Sequence, residues 1–145
     1  MKARELMTKD PEVLTPDEPV SRAAQLMRDK NVGVVPIVED RSSMRLRGLL
    51  TDRDIAIRHV AESHGRDCRI SDELTGGPIK TVSPETDAHD VLELMKREQV
   101  RRVPVVQGER LVGIIAQADV ANELNPESVG KVVERISEPT KKPNR

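Results

Sequence analysis

No phenylalanine, tyrosine or tryptophan occurs among the 145 residues. Aromatic side chains usually supply much of the buried area of a small core, so valine, isoleucine, leucine and methionine must fill it here. The same absence removes the platforms on which single-stranded nucleic acids stack, which argues against nucleic acid as a partner. An excess of one charge is missing too: 24 Lys and Arg face 25 Asp and Glu, a formal net charge of −1. Such a chain casts no broad field toward nucleic acid or a membrane, so any bound anion must be met by a few placed cations. Cys68 is the only cysteine; no disulfide can form within the chain and a reducing compartment is implied. No apolar run reaches the ~18 residues of a membrane span, and Met1-Lys2-Ala3-Arg4-Glu5 leads into no signal-peptide core. A cytoplasmic protein is expected, and at 36% apolar and 34% charged residues a soluble globular one.

What is present is a duplication. Thr15-Pro16 recurs as Ser83-Pro84, Leu26-Met27 as Leu94-Met95, and Val35-Pro36-Ile37-Val38 as Val103-Pro104-Val105-Val106, each 68 residues on. Beyond these strands the offset falls to 65, because Glu39 to Arg47 is three residues longer than Gln107 to Val112. A polar segment that tolerates insertion reads as a hairpin loop.

Each copy carries the same series of elements. A short extended segment, Val13 to Thr15 or Ile79 to Ser83, precedes a helix. The apolar positions of that helix are Val20, Ala23, Ala24 and Met27 in one copy and Ala88, Val91, Leu92 and Met95 in the other. Spacing of i, i+3, i+4, i+7 marks one helical face. Pro19 is expected at the first helical position and Thr86 as N-cap. Two strands follow, Val32 to Val38 with Leu46 to Leu50, and Val100 to Val106 with Leu111 to Ile115. The proline in the first of each pair predicts an edge or strand-end position, since it donates nothing to a ladder. A second helix runs from Thr51 to about Ser63, ending near Gly65, and from Ala116 to about Leu124.

The expected fold class is therefore α+β, two β-α-β-β-α repeats. Residues 1–65 form the first repeat with its N-terminal segment and 66–125 the second. An amphipathic helix follows over 126–138, with Val129, Val132, Val133 and Ile136 on one face, and a Lys- and Pro-rich disordered tail over 139–145. Halves of about 65 residues bury too little surface to be comfortable alone, so the two are expected to pack about a pseudo-twofold axis, leaving two clefts.

The turn Gly48-Leu49-Leu50-Thr51-Asp52-Arg53-Asp54 and its echo Gly113-Ile114-Ile115-Ala116-Gln117-Ala118-Asp119 carry the candidate chemistry. Each is a short strand turning directly into a helix, where unpaired backbone N–H groups can face a sugar-phosphate. Thr51 and Asp54 also satisfy an ordinary capping box.

With both turns and both Val-Pro-hydrophobic-Val strands in order, the chain resembles a tandem pair of CBS (cystathionine β-synthase-type) domains, a Bateman module, from about Ala3 to Leu124. It is especially similar to stand-alone two-CBS proteins of the mycobacterial hypoxic-response type. The resemblance implies a non-catalytic regulatory module, no required cofactor, an adenine nucleotide or related adenosyl ligand of the AMP, ADP or ATP class between the repeats, and a homodimer. It assigns the ribose to Asp54 beside Thr51, and base and phosphates to Ile79, Lys80, Val100, Arg101 and Arg102. In a strand Arg101 and Arg102 point to opposite faces; Arg102 is the expected phosphate contact. The second site, Asp119 with Val13, Val32 and Gly33, departs from the pattern because Ala116 stands where the hydroxyl belongs.

No Ser-His-Asp or Cys-His arrangement, glycine-rich phosphate loop or nucleotide-hydrolysing motif is visible, so no catalytic residues are expected. Gly76-Gly77-Pro78 follows no strand and reads as a turn. His59, His64, Asp67 and Cys68 gather near a helix end, but their spacing fits no common zinc pattern and a polar linker accounts for them, so no metal is expected. A thiol sensor at Cys68 has equally little support. The rival to a nucleotide sensor is a constitutive dimeric scaffold with empty clefts and an unidentified protein partner.

Overall fold

The computed structural model describes residues 1–65, 68–74 and 79–124. The expected C-terminal helix and tail, the Gly76-Gly77-Pro78 turn and Asp67 lie outside the described residues. In chain order the elements begin with α1 (Ala3–Leu6), β1 (Thr8–Lys9), α2 (Val20–Lys30), β2 (Val34–Val38) and β3 (Leu46–Thr51). There follow α3 (Asp52–Asp54), a π-helical turn (Ile55–Val60), α4 (Ile70–Glu73), α5 (Ala88–Glu98), β4 (Arg102–Gln107), β5 (Arg110–Ala116) and α6 (Gln117–Ala121).

These elements form two compact units. One joins Met1–Pro11 to Lys80–Gly108 and residues 112–124; the other holds Glu12–Ile79 with Glu109–Leu111. The N-terminal segment thus belongs with the second repeat, not the first. Backbone bonds fix it there: Ala3 N donates to Thr86 O at 2.7 Å, Arg4 N to Pro84 O at 3.0 Å, and Ala88 N to Met1 O at 2.7 Å. In the first-repeat unit the same position is filled by α4, 67 residues after α1, with Ile70 N donating to Glu18 O at 2.9 Å and Ser71 N to Pro16 O at 2.9 Å. Each half is completed by the one-turn helix that precedes the other half in sequence.

Each unit has its own apolar core. Leu14, Val20, Ala23, Leu26, Met27, Val35, Ile37, Leu50 and Ile70 fill the first-repeat unit. Ala3, Leu6, Val91, Leu92, Leu94, Met95, Val103, Val105, Ile115 and Val120 are among those filling the second. One expected core residue is corrected: Ala24 is exposed and Leu26 is buried in its stead. Positions i+4 and i+6 flank the same stripe on opposite sides, and α2 turns its leucine inward because more apolar surface leaves water that way. In α5 both flanks are leucine, Leu92 and Leu94, and both are buried.

The prolines sit where their missing N–H is tolerable. β2 pairs antiparallel with β3, Val35 opposite Leu50 and Pro36 opposite Leu49. On the other side β2 meets, among the described residues, only the single bridging residue Leu14, whose N donates to Pro36 O at 3.2 Å and whose O accepts from Val38 N at 2.9 Å. The nitrogen of Pro36 faces this incomplete side. Pro104 repeats the arrangement: Val82 N donates to Pro104 O at 3.1 Å and Val106 N to Val82 O at 2.8 Å. In the second unit the sheet order is β1-β5-β4, with Thr8 opposite Ile114 and Lys9 opposite Gly113.

Several boundaries differ from expectation. Pro19 is itself the N-cap of α2, extended at ψ 148°. Asp87 caps α5, its carboxylate accepting from His89 N at 3.0 Å, while the Thr86 hydroxyl one residue earlier accepts from Ser83 N at 3.0 Å. Asp87→Ala should therefore cost about 1 kcal/mol in urea denaturation. The helix expected from Thr51 to Ser63 keeps α geometry for only three residues before widening, with Ala61 N donating to Ala56 O at 3.0 Å and His64 N to His59 O at 2.9 Å. Its chain reversal falls at Ser63, φ 59°, not at Gly65.

Candidate functional site

The Thr51–Asp54 turn forms because β3 ends on a residue that can cap and the third residue of α3 can reach back. Thr51 Oγ1 accepts from Asp54 N at 3.0 Å, and Asp54 Oδ2 accepts from Thr51 N at 3.1 Å. Both side chains are buried. The second carboxylate oxygen, Oδ1, has no hydrogen-bond partner among the described residues, so a buried acceptor stands oriented at the start of a helix.

The echo at Asp119 keeps half of the arrangement. Ala116 offers no hydroxyl, yet Asp119 Oδ2 still accepts from Ala116 N at 2.7 Å. Turn closure alone accounts for an aspartate in both copies.

Each turn lies against the strand entrance of its own unit. Asp52 N donates to Gly33 O at 3.0 Å, and Gln117 N to Arg101 O at 2.9 Å. A Cβ on Gly33 would stand 3.2 Å from Asp52 Oδ2, so this approach is close. Val32 and Gly33 are thereby brought to the Thr51 turn, and Val100 and Arg101 to the Asp119 turn. Thr51, Asp54, Val13 and Ile79 belong to the first-repeat unit; Lys80, Val100, Arg101, Arg102 and Asp119 belong to the second. Lys80 and Arg101 are exposed and Arg102 is half-buried, its Nη1 donating to Arg101 O at 3.1 Å. Val13 is half-buried and its carbonyl accepts from Arg41 Nη2 at 3.1 Å.

A second constellation lies wholly within the first-repeat unit. His59, His64, Cys68 and Glu73 present one ligand-type atom each, all within 4.8 Å of one another. Glu73 Oε1 is their meeting point, 2.5 Å from His64 Nδ1, 3.3 Å from His59 Nδ1 and 3.0 Å from Cys68 Sγ. Hydrogen bonding to Glu73, with burial adding, pushes the Cys68 thiol up to about 12. It stays protonated near neutrality, a poor nucleophile, which removes the support for a thiol sensor. The same carboxylate raises His64 above the ordinary imidazole value by its hydrogen bond. Burial pushes Glu73 itself upward, but the bonds from Cys68, His64 and His59 outweigh it and the net direction is down.

Proximity in sequence gathers His59, His64 and Cys68 near a helix end, but their spacing fits no zinc pattern and Glu73 is not among them. The 68-residue offset of the duplication sets Glu73 against Glu5, so the anomaly shows only where the two one-turn helices are matched in the structure, 67 residues apart. Glu73 ends α4 at the position where α1 has Leu6, a buried apolar residue. A carboxylate at a core position of a repeat is the kind of anomaly that calls for partners.

Two copies of one α+β half, each with a strand-to-helix turn closed by an aspartate, define a duplicated module. The chain belongs to the CBS domain family, whose sequence pattern matches residues 3–59 and 71–126. Hypoxic response protein 1 of Mycobacterium tuberculosis is 36% identical over 137 residues, 94% of each chain. The crystal structure of Hypoxic Response Protein I with two coordinated zinc ions superimposes with a TM-score of 0.77 at 35% identity, over 86% of this chain and 100% of that one. The structure of CBSX2 in complex with AMP shares the fold at TM-score 0.71 and 24% identity, over 83% of this chain and 93% of that one. Among the described residues no helix is long and apolar enough to cross a membrane.

Proposed function

We propose that this CBS pair is a regulatory module, a homodimer, that binds an adenosine-containing nucleotide with its ribose on Asp54. The observation that carries the reading is the buried Asp54 carboxylate, fixed through Oδ2 by Thr51 N while Oδ1 is left without a partner among the described residues. A ribose diol supplies the donors such an oxygen lacks. Hydrogen bonds to a charged acceptor contribute roughly 1.5–3 kcal/mol, one to two decades in affinity. The family resemblance assigns the phosphate to Arg102, and AMP is the first ligand to try because a protein of the same fold has been crystallised with it.

Calorimetric titration of AMP, ADP, ATP, NAD and S-adenosylmethionine tests this. At 100 times its dissociation constant a ligand should stabilise the fold by about 2.7 kcal/mol. Asp54→Ala should lose ten- to a hundredfold in affinity while costing only about 1 kcal/mol of cap stability. Arg102→Ala should weaken AMP but leave adenosine unchanged. Absence of binding by all five at millimolar concentration would discard the nucleotide reading and leave a constitutive scaffold. Light scattering on the gel-filtration peak checks the dimer.

A further inference from the structure

We infer that His59, His64, Cys68 and Glu73 form a binding site for one divalent transition-metal ion of the zinc class. The inference is independent of the nucleotide reading, since all four residues lie in one unit and none belongs to the Thr51–Asp54 turn.

Donor chemistry and geometry carry it. Two imidazoles, a carboxylate and the Cys68 sulfur, whose proton would be released to solvent as the ion binds, are the nitrogen, oxygen and sulfur ligands that zinc accepts together. With bonds of about 2.0–2.3 Å, a tetrahedral ion holds its ligand atoms about 3.3–3.8 Å apart. The distances here straddle that range: 2.5 and 3.3 Å from Glu73 Oε1 to the two imidazoles, 3.0 Å to the sulfur, and 3.9 Å between Cys68 Sγ and His64 Nδ1. Movements of about an ångström would seat the ion. Two anionic ligands, Cys68 and Glu73, would balance its charge, which matters because the Glu73 side chain is only 1% exposed.

The backbone favours the same reading. The wide π-helical turn ends in a bond from His64 N to His59 O at 2.9 Å, so residues five apart present their rings together, centroids 5.9 Å apart and nearly perpendicular. Such turns recur at functional sites. With Nδ1 of His64 on the ion, its Nε2–H would face Glu62 Oε2, 3.4 Å away. A carboxylate behind a metal-bound imidazole is the usual way its tautomer is set. Four protein ligands make the site structural, a clasp between the π-helical turn and α4, rather than a catalytic one with an open position.

The full-length chain, stripped with chelator and titrated with Co²⁺ and then Zn²⁺, tests the assignment. One ion per chain is expected, with visible bands of tetrahedral cobalt and a near-ultraviolet thiolate-to-cobalt band, both erased by Zn²⁺. Cys68→Ser should abolish the thiolate band. His64→Ala, at a partly exposed position, should weaken binding at least about tenfold, whereas His89→Ala should change nothing. No stoichiometric binding, a thiolate band surviving in Cys68→Ser, or unchanged affinity in a folded His64→Ala would each overturn the site.

Discussion

Gly113→Val should lower stability by about 3 kcal/mol or more, a fall in Tm on the order of 10 °C. The backbone at Gly113 imposes no conformational demand that only glycine meets; space decides. A Cβ there would overlap Met7 Sδ, and would come within 2.7 Å of Met7 Cγ and 3.0 Å of Met7 Cβ. The thioether end could swing away, but the Met7 Cβ is fixed by the chain between α1 and β1. Relief requires pulling the N-terminal segment off β5, and with it the pairing of Thr8 with Ile114 and Lys9 with Gly113. Alanine at the same position should cost about 1–2 kcal/mol, and Met7→Ala in the same chain should return part of it.

Gly48, the counterpart in the first repeat, is the internal control. Among the described residues a Cβ there meets only Leu74 Cδ2, at 3.2 Å. That atom is the far end of a flexible side chain, so Gly48→Ala should cost well under about 1 kcal/mol. Urea denaturation of both alanine variants measures the difference. Equal losses would mean that Met7 does not hold the N-terminal segment as described.

The contrast between these glycines also shows what could be read before any coordinates. Repetition at a fixed offset revealed the order of elements, the hairpin loops and the two turns, because each apolar strand and helical stripe was written twice. Short pieces without a period were illegible: α1 has four residues and β1 two, too few for any hydrophobic alternation. Their exchange between repeats was equally hidden, since nothing in linear order says which half a one-turn helix completes. The Asp54 turn was legible, and so was its ordinary meaning as a capping box. The bond from Ala116 N to Asp119 shows that closing the turn is reason enough for an aspartate even in the copy without a hydroxyl. Glu73 was missed because motif spacing counts residues along an α-helix or a loop, whereas here a π-helical turn and a core position of α4 bring the groups together.

Glu73→Ala should be the second most damaging change, destabilising the chelator-treated protein by on the order of 2–3 kcal/mol. It opens a cavity where the other repeat has Leu6, and removes the acceptor shared by His59, His64 and Cys68. Glu73→Leu should recover most of that loss: it refills the position, and the imidazoles, being partly open to solvent, can turn to water. The sign of the pH dependence follows from the two shifts. Glu73 is held below its ordinary value of 4.5, burial opposing and the three donors prevailing, so its contribution is present above about pH 4.5 and is lost as pH falls through the folded value. His64 is raised above 6.5 by its bond to Glu73, so its contribution is complete below about pH 6.5 and is lost as pH rises through the folded value. The advantage of wild type over Glu73→Leu should therefore peak between about pH 4.5 and 6.5 and shrink on either side. Denaturation midpoints of the two metal-free proteins near pH 3.5, 5.5 and 8.5 measure it, and a difference that grows toward pH 8.5 would mean that His64 and Glu73 are not paired in the folded chain.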